Sequence, residues 1–132
     1  MDISIVDQRQ GARTAVTVDP VVVEEYCRIA GIDLSAPGIL KIRLRSDKGA
    51  YGFTTKHSWG YRVVVQIRNP KRRLSEHASY VVSNTLLHEL RHVAQGMLSG
   101  WHALSPDYHG WSEVEAREYG KMIFGKGPFA IR

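Results

Sequence analysis

The stretch Leu86-Leu87-His88-Glu89-Leu90-Arg91-His92-Val93-Ala94 decides how the rest of the chain is read. It holds His-Glu-x-x-His inside a run whose apolar residues recur at helical spacing. Val81, Val82, Leu86, Leu90, Val93, Ala94 and Met97 belong to that run, with Thr85 among them. No proline occurs between Glu76 and Leu98, so the spacing predicts one long helix there, stopped by Ser99-Gly100. Residues i and i+4 of a helix lie one turn apart on one face. His88 and His92 can therefore reach a single metal ion. Glu89 projects toward a water on that metal and is the candidate base, taking its proton and passing it to a leaving amine. Zinc would lower the pKa of that water from about 16 to about 7. The plainer alternative is two surface histidines on an amphipathic helix. The helical setting, the flanking Leu87, Leu90 and Val93, and a third ligand downstream favour the metal. Arg91 is an irregularity, because the middle positions of this motif are more often uncharged.

A zinc site that does chemistry usually has three protein ligands and one open position. The metzincin pattern would need Gly at 95 and His at 98, where this chain has Gln95 and Leu98, so that pattern is excluded. The candidate third ligand is Glu115, in Trp111-Ser112-Glu113-Val114-Glu115-Ala116-Arg117-Glu118-Tyr119-Gly120. Here the chain resembles the gluzincins, zinc metallopeptidases whose third ligand is a glutamate on a second helix, commonly followed by alanine. The resemblance covers roughly residues 80–124. It implies His88, His92 and Glu115 as zinc ligands, with Glu89 as base. It also implies a minimal, one-domain type such as those of phages and bacteria. At the usual offsets for an acid that orients a histidine stand Arg117 and Tyr119, so Glu118 is the substitute, on the same helical face as Glu115.

Glu115 has a second reading, as the glutamate of a capping box begun by Ser112. Glu113 is the weaker ligand candidate, read as a solvated acid in the first helical turn. His109, in Tyr108-His109-Gly110, is the rival third ligand. It resembles the His-Gly element of SprT-like metalloproteases, which act on proteins crosslinked to DNA. If Glu115 binds the metal, Tyr108 or His109 becomes a candidate donor to the oxyanion of peptide hydrolysis. His102 is a remoter candidate for either role. His57 and His77 have no ligand spacing and read as surface residues.

The remaining chain frames this site. Its 132 residues make one domain, with a catalytic core over about 60–124 and a tail at 125–132, which by position could enter the cleft. Hydrophobic residues are 43% of the chain, enough for a core without staples, and the single cysteine, Cys27, excludes an intramolecular disulfide. Runs at 2–7 and 12–18 predict a hairpin. Asp19-Pro20 opens a helix that ends at Gly31. Leu40, Ile42 and Leu44 alternate with Lys41, Arg43 and Arg45 in a half-buried strand over 39–45. Strands are also expected at 51–55 and 61–68, with a loop over 56–60, and a second helix from near Trp111-Ser112 to Phe124. The expected fold is α+β and zincin-like: an N-terminal helix, a small, mainly antiparallel sheet, the motif helix and a second ligand-bearing helix. Tyr61–Arg68 is the expected edge strand for an extended peptide substrate.

Lys plus Arg is 18 against 13 for Asp plus Glu, a net charge of +5. Lys41, Arg43 and Arg45 with Lys71, Arg72 and Arg73 form a surface that could bind nucleic acid, or simply a solvated charged face. The former use suits a non-enzymatic binding or adaptor module with a degenerate motif. Trp59, Trp101 and Trp111 read as core or cleft packing. With no apolar run of about 18 residues and no signal peptide, the expected setting is the cytoplasm, without membrane attachment. Oligomeric state is not legible.

Overall fold

Two helices stacked on one face of a small sheet set the frame for the motif. A computed structural model describes residues 1–8, 16–45, 51–67, 76–99, 109–121 and 129–131. In chain order the elements are β1 (Asp2–Asp7), β2 (Val16–Val18), α1 (Pro20–Ala30), β3 (Ile39–Arg45), β4 (Gly52–His57), β5 (Gly60–Gln66), α2 (Glu76–Ser99), α3 (His109–Gly120) and β6 (Phe129–Ile131). The class is α+β, and among the described residues no helix is long and apolar enough to cross a membrane.

Local chemistry explains the elements that fall where the sequence puts them. Asp19 Oδ1 accepts from the Val21 amide at 2.9 Å, and Pro20 occupies the first turn of α1, where a missing N–H costs nothing. Gly31 closes that helix in the left-handed conformation at φ 85°. In β3 the alternation is carried through, with Leu40, Ile42 and Leu44 fully buried and the cations between them half-buried.

Sheet order differs from expectation. It is β1-β3-β5-β4, with β1–β3 and β3–β5 parallel and only β4–β5 antiparallel, so the sheet is not mainly antiparallel. The 2–7 and 12–18 runs do not make a hairpin: β1 joins the main sheet, whereas β2 pairs with β6 in a separate two-stranded sheet. Residues 129–131 are thus a strand rather than part of a free tail. Nor is β5 the edge. Val63, Val64 and Val65 are all fully buried, as a strand flanked on both sides requires. The edge is β4, whose Thr54, Thr55 and Lys56 tolerate water. The β4–β5 connection is only Ser58-Trp59.

The core lies between the inner sheet face and the helices. Leu40, Ile42, Leu44, Tyr61, Val63 and Val65 meet Val23, Tyr26, Cys27 and Ala30 of α1 and Val82, Leu86, Leu87, Leu90 and Val93 of α2. Apolar burial of this kind stabilises at about 25 cal/mol per Å², and it fixes which face of α2 is left for chemistry.

Burial pushes the Cys27 thiol up to about 12, with Glu24 adding to the rise. The folded chain keeps that proton above the ordinary thiol value, where the unfolded chain loses it. Stability therefore falls as pH rises from about 9 toward about 12. In a disulfide-exchange assay with an aromatic reagent at pH 8, native Cys27 stays unreacted and reacts on denaturation. Stoichiometric reaction of the folded protein would contradict this packing.

Candidate metal centre

His88, Glu89 and His92 sit in the middle of α2, and the third donor comes from α3. His92 Nε2 lies 2.6 Å from Glu113 Oε1, and His88 Nε2 lies 3.2 Å from Glu113 Oε2. One ligand atom from each of these three residues falls within 4.8 Å of the others, so the group can hold a metal ion. The two imidazoles meet edge-on, with ring centroids 4.9 Å apart.

Glu115, the expected ligand, is elsewhere. Arg91 Nε donates to its Oε1 at 2.6 Å, and Gln95 Nε2 donates to the same oxygen at 3.2 Å. Burial alone would raise the Glu115 pKa, but the hydrogen bonds from Arg91 and Gln95 outweigh it and hold the carboxyl low. The physical reason is helical phase: residues two apart point about 200° away from each other, so Glu113 and Glu115 cannot both face the histidines. The capping box is also displaced. The helix α3 starts at His109, and Ser112 lies inside it with its side chain buried. Among the described residues Glu118 contacts no histidine and makes an exposed ion pair with Lys121 at 3.3 Å. The rival ligand His109 opens α3, but its side chain lies outside the described residues, as do Tyr108 and His102 entirely.

What orients His92 is Gln95, a residue the sequence reading used only to exclude a pattern. Its carboxamide nitrogen donates to the Ser112 carbonyl at 2.9 Å and to Glu115, which turns its oxygen toward His92 Nδ1 at 2.7 Å. Nδ1 therefore donates to Gln95, and Nε2 faces the Glu113 carboxylate only 2.6 Å away. Two acceptors cannot face each other at that distance unless a proton or a metal cation lies between them. Two imidazole nitrogens and a carboxylate oxygen are a fitting donor set for a divalent transition ion. A buried second partner on Nδ1 is the usual companion of such a ligand. Burial, followed by repulsion from His92, lowers the His88 pKa, which favours the neutral ring that ligation needs.

Glu89 is held apart from this triad. Thr54 of β4 donates from Oγ1 to Glu89 Oε1 at 2.9 Å and lies 3.1 Å from the Glu89 carbonyl oxygen. The other oxygen, Oε2, is 3.9 Å from His88 Nε2. Burial drives the Glu89 pKa up to about 7 against the opposing effects of His92 and Thr54. A divalent cation beside it would counter that rise.

These residues face a cleft of about 720 Å³ lined by Phe53 and Thr54 of β4, His88, Glu89 and His92 of α2, and Glu113 and Arg117 of α3. Two glycines let its walls close. A Cβ on Gly52 would lie 2.9 Å from Thr85 Cγ2 and 3.0 Å from Glu89 Cγ, and one on Gly120 would lie 3.0 Å from the Asn84 carbonyl oxygen. Only backbone without a side chain brings β4 and α3 this near to α2.

No family model matches the chain, and no curated protein or solved structure matches it either.

Glu113→Ala should abolish metal retention, measured as bound metal per chain by elemental analysis. Glu115→Ala should keep the ion, with an affinity lowered about 10- to 100-fold through loss of support for Gln95 and Arg91. The reverse pattern would restore Glu115 as the ligand.

Proposed function

We propose that this chain is a zinc-dependent peptidase that hydrolyses peptide bonds in the cleft between β4 and α3. The observation that carries the reading is the joint placement of His88, His92 and Glu113 as donors, with the buried Glu89 carboxylate beside but outside them. His88 and His92 through nitrogen, and Glu113 through oxygen, would hold the ion. Zinc bound there supplies Lewis acidity that makes water a nucleophile near neutral pH and polarises a carbonyl.

The chain's own groups do the rest. Glu89 Oε2 takes a proton from the attacking water and returns it to the leaving amine. Thr54 keeps the other oxygen in place, so the free one faces the cleft. The imidazole of His92 is kept in one tautomer by Gln95. The edge of β4 not paired to β5 offers backbone N–H and C=O groups to an extended peptide, the mode expected of an edge strand. Arg117, on the α3 wall one turn beyond Glu113, places positive charge in the cleft where the carbonyl oxygen becomes negative. The peptide substrate and the zinc identity rest on this combination and on the resemblance of the motif to gluzincins.

A peptide library read by mass spectrometry tests the proposal. The wild-type chain should cleave, lose activity to a chelator and regain it with zinc. Glu89→Gln should retain one metal per chain and lose at least about 10²-fold in kcat/KM. Thr54→Val should keep the metal and reduce kcat more than it changes KM. Undiminished turnover in the Glu89→Gln chain would sink the mechanism.

A further inference from the structure

The face of the sheet turned away from the helices carries a cluster of cations that the cleft chemistry does not use. Strand parity puts Lys41, Arg43 and Arg45 of β3 on this face, with Arg62 of β5 directly across from Lys41. Across the other side of β5, Thr55 pairs with Arg62 and Phe53 with Val64, so Phe53, on the edge strand where it also borders the cleft, sits at the rim of the same surface. Phe53 is 38% exposed.

These cations are crowded on neighbouring strands. Among the described residues none of the four makes an ion pair. Arg43 donates to the Ser4 and Ile42 carbonyls at 2.9 and 3.0 Å, and Arg45 donates to Gln8 at 3.0 Å. Arg62 Nη2 lies 3.3 Å from His57 Nε2, while its Nε is buried with no hydrogen-bond partner. Desolvation, and then repulsion from Arg62 and Arg45, lowers the Arg43 pKa. Like charges held together at a cost call for an anion. Among the described strands, the one carboxylate that register puts on this face is Asp2, at the far edge of β1.

The surface also carries stacked rings. His57 and Trp59 lie parallel with centroids 4.6 Å apart, and Lys41 Nζ sits 4.2 Å from the centre of the Trp59 ring. His57 is thus not an isolated surface residue, and Trp59 belongs to this face rather than to the core or the cleft. Residues two apart along a strand are separated by about 6.7 Å, so Lys41, Arg43 and Arg45 form a straight row at the scale of one nucleotide step. A flat sheet with a cationic row and bordering rings suits a strand whose bases are unpaired and can lie flat. A duplex hides its bases and is read by elements that enter a groove.

We propose that this face binds single-stranded nucleic acid, with phosphates along Lys41, Arg43, Arg45 and Arg62 and bases packed against Phe53 and the His57–Trp59 stack. The site lies across the sheet from His88, His92 and Glu113 and is independent of the metal. Lys71, Arg72 and Arg73, the second basic cluster of the sequence, lie outside the described residues, and the site does not depend on them.

The test is fluorescence anisotropy of the full chain with a labelled 20-nucleotide oligothymidine, its ribo-counterpart oligouridine and a 20-base-pair duplex, with and without chelator. Both single strands should bind alike, since the contacts are to phosphate and ring faces. The duplex should bind several-fold more weakly, and the chelator should change nothing. With four cations engaged, log K should fall with log salt at a slope of about −3, roughly a 50-fold loss between 50 and 200 mM. Lys41→Gln/Arg45→Gln leaves the Arg43 bonds to β1 in place, and should halve that slope and weaken binding at least about 10-fold at 50 mM salt. Circular dichroism and retained metal would verify the fold of that variant. Phe53→Ala should cost about five-fold or more. Absence of binding at 50 mM salt, loss with chelator, duplex binding as tight as single-strand binding, equal competition by inorganic polyphosphate, or indifference to the double variant would overturn the proposal.

Discussion

The approach of α3 to α2 is the constraint on which the site depends. A helix alone can present two histidines to one ion, but the third donor must come from another element. Gly120 removes the side chain that would meet the Asn84 carbonyl. Arg91 then bolts the arrangement. Its guanidinium bonds Glu115 of α3 and, through Nη1, the Ala30 carbonyl at the end of α1 at 2.8 Å, and it stacks 4.3 Å from the centre of the Tyr119 ring. The charged residue that looked out of place inside the motif is the one that joins three helices. An Arg–carboxylate pair this short and only partly exposed, tied further to a carbonyl and a ring, is worth more than an ordinary surface ion pair.

From that junction a hydrogen-bond relay runs to the candidate ligand. Glu115 and the Ser112 carbonyl hold the Gln95 amide, the Gln95 oxygen holds His92 Nδ1, and His92 Nε2 meets Glu113. Each link leaves the next with one choice of donor or acceptor. Its end is the His92 nitrogen against the Glu113 carboxylate at 2.6 Å, a contact that a shared proton or a metal cation satisfies. Glu115 therefore serves the centre by supporting it, two bonds removed from the place its sequence context suggested.

The sheet divides the molecule's charge into two settings. The centre of its inner face is apolar, and Thr54 reaches Glu89 there from the edge strand, so the Glu89 carboxyl is buried and its proton affinity raised. The outer face gathers cations with no such burial of opposite charge beside them. Among the described residues the helices lie on one side of the sheet, and the other side carries cations where the first carries the apolar core.

By itself the sequence determined those features that depend on local repetition and local caps. Asp19-Pro20 and Gly31 bound α1, strict alternation marked β3, and the spacing of His88 and His92 on an uninterrupted helix placed both imidazoles on one face. The rank of the strands was not written there: the sequence reading makes Tyr61–Arg68 the edge, whereas Val63-Val64-Val65 lies buried in the interior strand and β4 forms the edge. The parallel pairing, the β2–β6 ladder and the placement of Glu113, rather than Glu115, beside the two histidines were decided only in three dimensions. Strand partners and helix phase depend on contacts between residues far apart in the chain, and two glutamates two positions apart differ only in the direction each helix position faces. The one hint in the sequence was Arg91, a cation beside the ligands that needed a carboxylate of its own.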